Sequence, residues 1–164
     1  MTVATRVWGR ILAWLRREKV VLAPPSHAPR GKHAGLPVSE RLRRYRGGHV
    51  TLAGEVVQSK PELRIANFLF KRGIPYVYEA QLEGATPDFL LPGHGVIIEH
   101  WGMDHSKYRE KRAMKTRLYL SRGYKLVETE KKDVPHLERV LEARLGKVGV
   151  LDPGGAEGPN GRRA

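Results

Sequence analysis

The sequence predicts an α/β fold: a central mixed four-stranded sheet flanked by helices, in the order αβββαβα, preceded by a basic N-terminal helical arm. Three observations carry this expectation. Ser59, Lys60, Pro61 and Glu62 supply an N-cap, a first-turn proline and a capping-box acid ahead of an amphipathic run. Pro92, Gly93, His94 and Gly95 separate two apolar runs with turn chemistry. A charged helical stretch from Ser106 to Ser121 then separates the third strand candidate from the fourth.

In chain order, Val7, Trp8, Ile11, Leu12 and Leu15 recur at helical spacing and predict a helix over Ala4 to Lys19. Its stripe suits docking on the core, dimerisation, or contact with a partner or anionic membrane surface. Ala23 to Pro37 is a breaker-rich linker. Between Glu40 and Gly48, Arg41, Arg43, Arg44 and Arg46 surround Tyr45, a cluster suited to phosphate contact and base stacking. Gly47 and Gly48 read as a loop that could also cradle a phosphate. The capped helix continues through Leu63, Ile65, Ala66, Leu69 and Phe70 until Gly73. Strands are expected over Tyr76 to Ala80, Thr86 to Leu91 and Val96 to Trp101. A helix over Ser106 to Ser121, a strand over Tyr124 to Thr129, and a terminal helix from Asp133 and Pro135 to near Gly146 complete the core. The expected domains are therefore an arm over 1–48, a folded domain over 49–149 and a disordered tail over 150–164.

The chain has 164 residues, enough for one modest domain with appendages, and 40% of them are hydrophobic. Zero cysteines exclude a disulfide framework, a thiolate zinc site and a cysteine nucleophile. No apolar run approaches the roughly 18 residues of a membrane span, and the N-terminus lacks the order of a secretory signal, so a cytoplasmic protein without membrane association is expected. The formal charge is +13, with 30 Lys and Arg against 17 Asp and Glu. Residues 1–60 hold 12 basic groups against Glu18, Glu40 and Glu55. Such an arm suits the backbone of DNA, where each neutralised phosphate releases counterions; a solubilising surface is the other reading. Arginine outnumbers lysine 19 to 11 and Asn and Gln are scarce, a bias shared by thermophiles and GC-rich genomes.

The hairpin makes a geometric statement about two acids. If Leu91 faces Val96, Asp88 faces Glu99 on the same side of the sheet, their Cβ atoms about 4.5 to 5.5 Å apart. Opposed carboxylates in an apolar strand pair repel, which calls for a compensating cation. Mg²⁺ (or Mn²⁺) takes oxygen ligands of this kind, with Asp88, Glu99, a backbone carbonyl and a phosphate oxygen as donors. A structural ion pair between Glu99 and a basic side chain is the alternative. His94, His100 and His105 lie close in sequence, but strand neighbours alternate faces, which disfavours a zinc site.

Pro87, Asp88 and Phe89 followed by Glu99 in an apolar strand resemble the PD-(D/E)xK (restriction-endonuclease-like) nuclease superfamily. The stretch from Ser59, Glu62 and Ile65 through Tyr76, Tyr78 and Glu79 to Glu99, His100, Gly102, Tyr108, Lys115, Tyr119 and Gly123 resembles the nuclease-like domains associated with superfamily-one DNA helicases. The likeness covers roughly Gly48 to Val134, and no ATP-binding loop accompanies it. It implies that Asp88 and Glu99 are the principal metal-binding acids, joined by Glu62 from the first core helix and the backbone carbonyl of His100. The lysine expected two residues after the second acid is replaced by Trp101. Lys115, with Lys111 second, is the expected substitute, both lying with Tyr108 on one face of the following helix. A solvated helix face is the competing reading of both lysines. Trp101 and Tyr108 are candidate stacking partners for an unpaired base, and a tryptophan there also suits a core position.

The function expected from the resemblance and the acid geometry is a Mg-dependent deoxyribonuclease hydrolysing phosphodiesters in DNA repair, recombination or phage and mobile-element processing. Its partners would be DNA and a helicase or recombination protein. Two alternatives stand beside it: a catalytically silent DNA-binding module with this fold, and a homodimeric junction-resolving endonuclease.

Overall fold

The computed structural model describes residues 32–33, 35–103 and 105–152. The expected helix over Ala4 to Lys19 lies outside the described residues. The architecture is a mixed α/β fold built on a four-stranded sheet. Helix α1 (Val38–Arg44) leads into a small antiparallel hairpin of β1 (His49–Val50) and β2 (Val56–Val57). Then follow α2 (Lys60–Lys71), β3 (Val77–Tyr78), β4 (Phe89–Leu91), β5 (Val96–Trp101), α3 (Ser106–Ser121), β6 (Lys125–Glu130), a 3₁₀ segment (Lys131–His136) and α4 (Leu137–Lys147).

Ser59 caps α2 through the Glu62 N–H, as the sequence predicts, and Gly73 follows the helix at φ +64°. In the main sheet β3, β4 and β5 are antiparallel neighbours, while β6 joins β5 in parallel. That parallel step needs a crossover, which α3 provides. The hairpin register pairs Leu91 with Val96 and Phe89 with Ile98, the alignment expected from the turn.

Alternation along the strands sorts side chains onto two faces. Phe89, Leu91, Val96, Ile98 and Val127 meet Ile65, Ala66 and Leu69 of α2 and Leu137, Leu141 and Leu145 of α4, all buried. On the opposite face Leu90 and Ile97 pack with Val77, Leu82, Tyr119 and Tyr124. Helix α3 covers this second face yet buries only Lys115 and Tyr119.

Several elements differ from the sequence expectation. The first two strands of the core are shorter than predicted, because the chain between Glu79 and Asp88 leaves the ladder at Glu79, whose φ is +47°. The terminal helix begins at Leu137, since the turn holding Asp133 and Pro135 is 3₁₀. Residues 38–44, expected as part of an arm, form α1 and pack beside β2. Gly48 explains that contact: a Cβ there would lie 2.6 Å from the Val57 carbonyl oxygen and 2.9 Å from Tyr45 Cβ. It is thus a point of close backbone approach, as is common for glycine beside a strand. Val150 and Leu151, at the start of the expected tail, pack against the core.

Gly48→Ala should therefore force α1 from the hairpin and destabilise the protein by about 1 to 3 kcal/mol. Urea denaturation measures it, with Gly146→Ala as the comparison, where φ is ordinary and the nearest atom lies 3.8 Å from the added Cβ; equal destabilisation at the two positions would contradict the close-approach argument.

Candidate active site

The register that pairs Phe89 with Ile98 brings Asp88, just outside β4, opposite Glu99 of β5. Here the ladder changes character. The His100 N–H donates to Asp88 Oδ2 at 2.7 Å, and the Glu79 N–H donates to the Asp88 carbonyl at 2.9 Å. Asp88 is therefore fixed by main-chain contacts at both ends. Glu99 is 1% exposed, and its Oε1 accepts from Tyr119 Oη at 2.8 Å and lies 2.5 Å from Lys115 Nζ. Both partners come from α3, one turn apart.

Lys115 is itself buried, with Nζ 5.6 Å from the Trp101 ring centroid and 5.8 Å from that of Tyr119. Rings at this range favour the ammonium electrostatically. Trp101 shares the face of Glu99 and is 4% exposed. Its indole N–H donates to Glu128 Oε1 at 2.8 Å, Arg112 lies over the ring, and Tyr108 meets it edge-on at 5.7 Å. A ring held on these sides is a wall of the site, which corrects the expectation that Trp101 stacks on a base. Lys111 is exposed and reaches Glu99 only through its charge.

Glu62 enters from α2. Its Oε2 accepts from the Gln58 N–H at 2.9 Å and from Tyr78 Oη at 2.6 Å, and its Oε1 accepts from Ser59 Oγ at 2.8 Å. Burial, followed by the charges of Glu99 and Glu62, pushes the Asp88 carboxyl well above its ordinary range against the opposing pull of the His100 N–H and Lys115. Burial likewise raises Glu99, opposed chiefly by Lys115. Asp88 thus senses both other acids, and Lys115 offsets them only in part. Oxygen donors in that condition fit a hard divalent cation, whose remaining positions water and phosphate would fill. Among the described residues no three His, Asp or Glu side chains form a ready-made ligand group. The fit is therefore that of a two-carboxylate site. The His100 ring lies on the other side of the strand, with Nδ1 3.0 Å from Thr129 Oγ1.

The remaining expected residues are dispersed. Arg43, Arg44 and Arg46 are exposed, whereas Arg41 is buried at 4% exposure, which corrects its assignment to a phosphate-facing surface. Arg44 pairs with Glu40 at 2.9 Å. Tyr45 is half-buried, donates to Glu79 Oε2 at 2.7 Å and meets His33 edge-on, so its ring is not an open platform. Sequence pattern assigns no role to Tyr119, Gln58 or Glu79. The spacing of Tyr119 four residues after Lys115 was the available signal for the first. Gln58 Nε2 donates to Glu79 Oε1 at 2.5 Å, a pairing across a fold that local pattern does not encode.

No family model matches the chain. Over an alignment of 87 positions that covers 48% of the chain, it is 33% identical to an uncharacterized protein of Methanocaldococcus jannaschii, of whose length the match spans 7%. The structure is similar to the catalytic domain of the homing endonuclease I-Bth0305I at TM-score 0.43 and 20% identity, over 55% of this chain and 97% of that one.

Two outcomes follow from the electrostatics. Lys115→Met strands Glu99 in the interior and should cost about 3 kcal/mol or more in denaturant unfolding, most of it recovered when Glu99→Leu is added. The second concerns pH. Because the native pKa of Asp88 is raised, the folded state binds more protons than the unfolded chain between the ordinary and raised values. That stabilisation is complete below the unfolded pKa and is lost as pH rises through the native one. Asp88→Asn should therefore raise the melting temperature at neutral pH in EDTA and flatten its decline with rising pH. A steeper decline in the variant would contradict the assignment.

Proposed function

We propose that this protein is a metal-dependent DNA endonuclease with a PD-(D/E)xK-type site. The observation that carries the reading is the buried Glu99, facing Asp88 across the hairpin and held by a lysine from the next helix. Structural ion pairs are seldom built around a second opposed carboxylate, because the extra charge costs stability unless a cation offsets it.

In this reading Asp88 and Glu99 hold the cation, with the His100 carbonyl as a further donor. When bound, Mg²⁺ or Mn²⁺ supplies polarisation of the phosphoryl group and a bound water of lowered pKa. Lys115 orients Glu99 and contributes positive charge where the attacked phosphate gains negative charge. Glu62, fixed by Ser59 and Tyr78, orients a water at the edge of the site. Phosphates flanking the site are neutralised by Lys111 and by Arg43, Arg44 and Arg46.

One observation favours a catalytically silent DNA-binding module instead: Glu99 Oε1 is already engaged by Lys115 and Tyr119. Cleavage of labelled single-stranded, duplex, flapped and four-way DNA with Mg²⁺, Mn²⁺ or EDTA separates the two readings. The nuclease reading expects metal-dependent cutting reduced at least about 100-fold by Asp88→Ala and by Glu99→Ala, with Lys111→Ala milder than Lys115→Ala. DNA binding without cutting in either metal selects the silent module.

A further inference from the structure

The outer side of α3, away from the carboxylates, borders a cavity of about 1140 Å³ that runs toward the end of β6. It begins at Trp101 and Tyr108, two and nine residues beyond Glu99 in the chain, and extends along the helix to Leu120. At about 1.5 Å per residue the helical wall from His105 to Leu120 is roughly 22 Å long. Its lining mixes two chemistries. Met103 and Leu120, at the two ends of this wall, are more than half exposed at 60% and 56%, and Ala113 lines the groove between them. Arg117 and Lys131 line the same groove and, among the described residues, take part in no ion pair. The two acids that line the groove from β6 are already matched: Glu128 pairs with Arg112, and Glu130 with Arg112 and Lys132. The groove therefore carries unspent positive charge above an apolar floor.

We propose that this groove holds a single-stranded nucleic-acid segment continuous with the strand at Asp88 and Glu99, so that the substrate is DNA with unpaired nucleotides beside the scissile bond. The proposal rests on the nuclease reading for its substrate, though not for the binding it requires. Single strands combine apolar base faces with regularly spaced phosphates, and proteins that take them pair apolar or aromatic surfaces with cations. Met103, Leu120 and the exposed part of Tyr108 meet the bases, while Arg117 and Lys131 meet the phosphates. A duplex suits the groove poorly: its base faces are hidden by stacking and only edges appear in its grooves, leaving the apolar floor against charged backbone. The fit to an acidic peptide is weaker, because backbone amides bring nothing to the floor that a base face does not exceed in apolar area.

Binding is read by fluorescence anisotropy on the full chain in EDTA, with a labelled oligothymidylate and a blunt duplex of equal phosphate count. Two variants probe the groove: Arg117→Gln with Lys131→Gln, and Met103→Ser with Leu120→Ser. Both are expected to weaken oligothymidylate binding at least about tenfold while changing duplex binding less than about threefold. The first should also lower the log–log salt dependence for the single strand by about 1.4, or about 0.7 for each phosphate left without its cation. Because the chain has no cysteine, Thr116→Cys gives a unique handle in the groove wall for a thiol-linked photo-crosslinker. Crosslinking to the oligothymidylate in preference to the duplex is expected. Unchanged single-strand affinity in both groove variants, or preferential duplex crosslinking, overturns the proposal. So does oligoglutamate binding that these variants abolish while oligothymidylate binding persists, which would make the groove a protein-docking surface. Since no step needs a metal, a chain that never cuts can still bind a single strand here, and a chain that cuts can fail to.

Discussion

The buried contact of Glu99 with Lys115 and Tyr119 is what the rest of this structure hangs on. Helix α3 has only two buried side chains, and both bond to that one carboxylate. An ordinary surface helix is held by an apolar stripe. Here a hydrogen bond and an ion pair in a dry interior largely replace that stripe, with the Tyr119 ring supplying the apolar part. Such a pair contributes little net stability, since desolvating both charges offsets their attraction, but separating them is expensive. The helix is therefore fixed in register more firmly than in energy. That property suits the cation site proposed at this carboxylate.

A second consequence concerns the acids on either side. Glu62 is immobilised by Ser59, Tyr78 and the Gln58 N–H, and the Gln58 side chain continues to Glu79, which also receives Tyr45. Tyr45 follows directly on α1, whose exposed face carries Arg43 and Arg44. The chain of contacts from basic helix to site acid thus passes through Glu79, a non-glycine residue at φ +47°. Conformations of that kind are retained only where surrounding contacts over-determine them, and here two hydrogen bonds to one carboxylate do so. The same residue's N–H holds Asp88, so the strained turn secures both sides of the candidate site.

How much of this was legible follows from the range of each interaction. The β4–β5 register was readable because side chains alternate strictly and the Pro-Gly turn allows few loop lengths, which put Asp88 against Glu99. The start of α2 was readable from its local cap, and the extent of α3 from its charged helical stretch and the glycine that follows it. The hairpin of β1 and β2 was not, because two-residue strands show no period. Lys115 was preferred to Lys111 on one shared helix face, but the contrast in burial was not readable locally: the depth of the sheet beneath them, closed by Trp101, separates the exposed lysine from the buried one. Arg41 and Tyr45 misled for the opposite reason: a basic cluster is read as surface, while Gly48 lets its helix approach the hairpin closely enough to bury one arginine.

The charge of α3 ties these points together. Across Ser106–Ser121 it carries Lys107, Arg109, Lys111, Arg112, Lys115 and Arg117 against Glu110 alone. Packed on an apolar sheet by a hydrophobic stripe, such a helix would have one polar face; anchored mainly through Lys115 and Tyr119, it is free to be cationic on both flanks. One flank then looks toward the raised carboxyls of Asp88 and Glu99, the other toward the groove lined by Met103 and Leu120. For the nucleic-acid substrate proposed above, this helix presents positive charge at both the groove and the site, and low-dielectric walls concentrate that field. Lys115, which holds Glu99, thereby shares one helix with cations that line the groove.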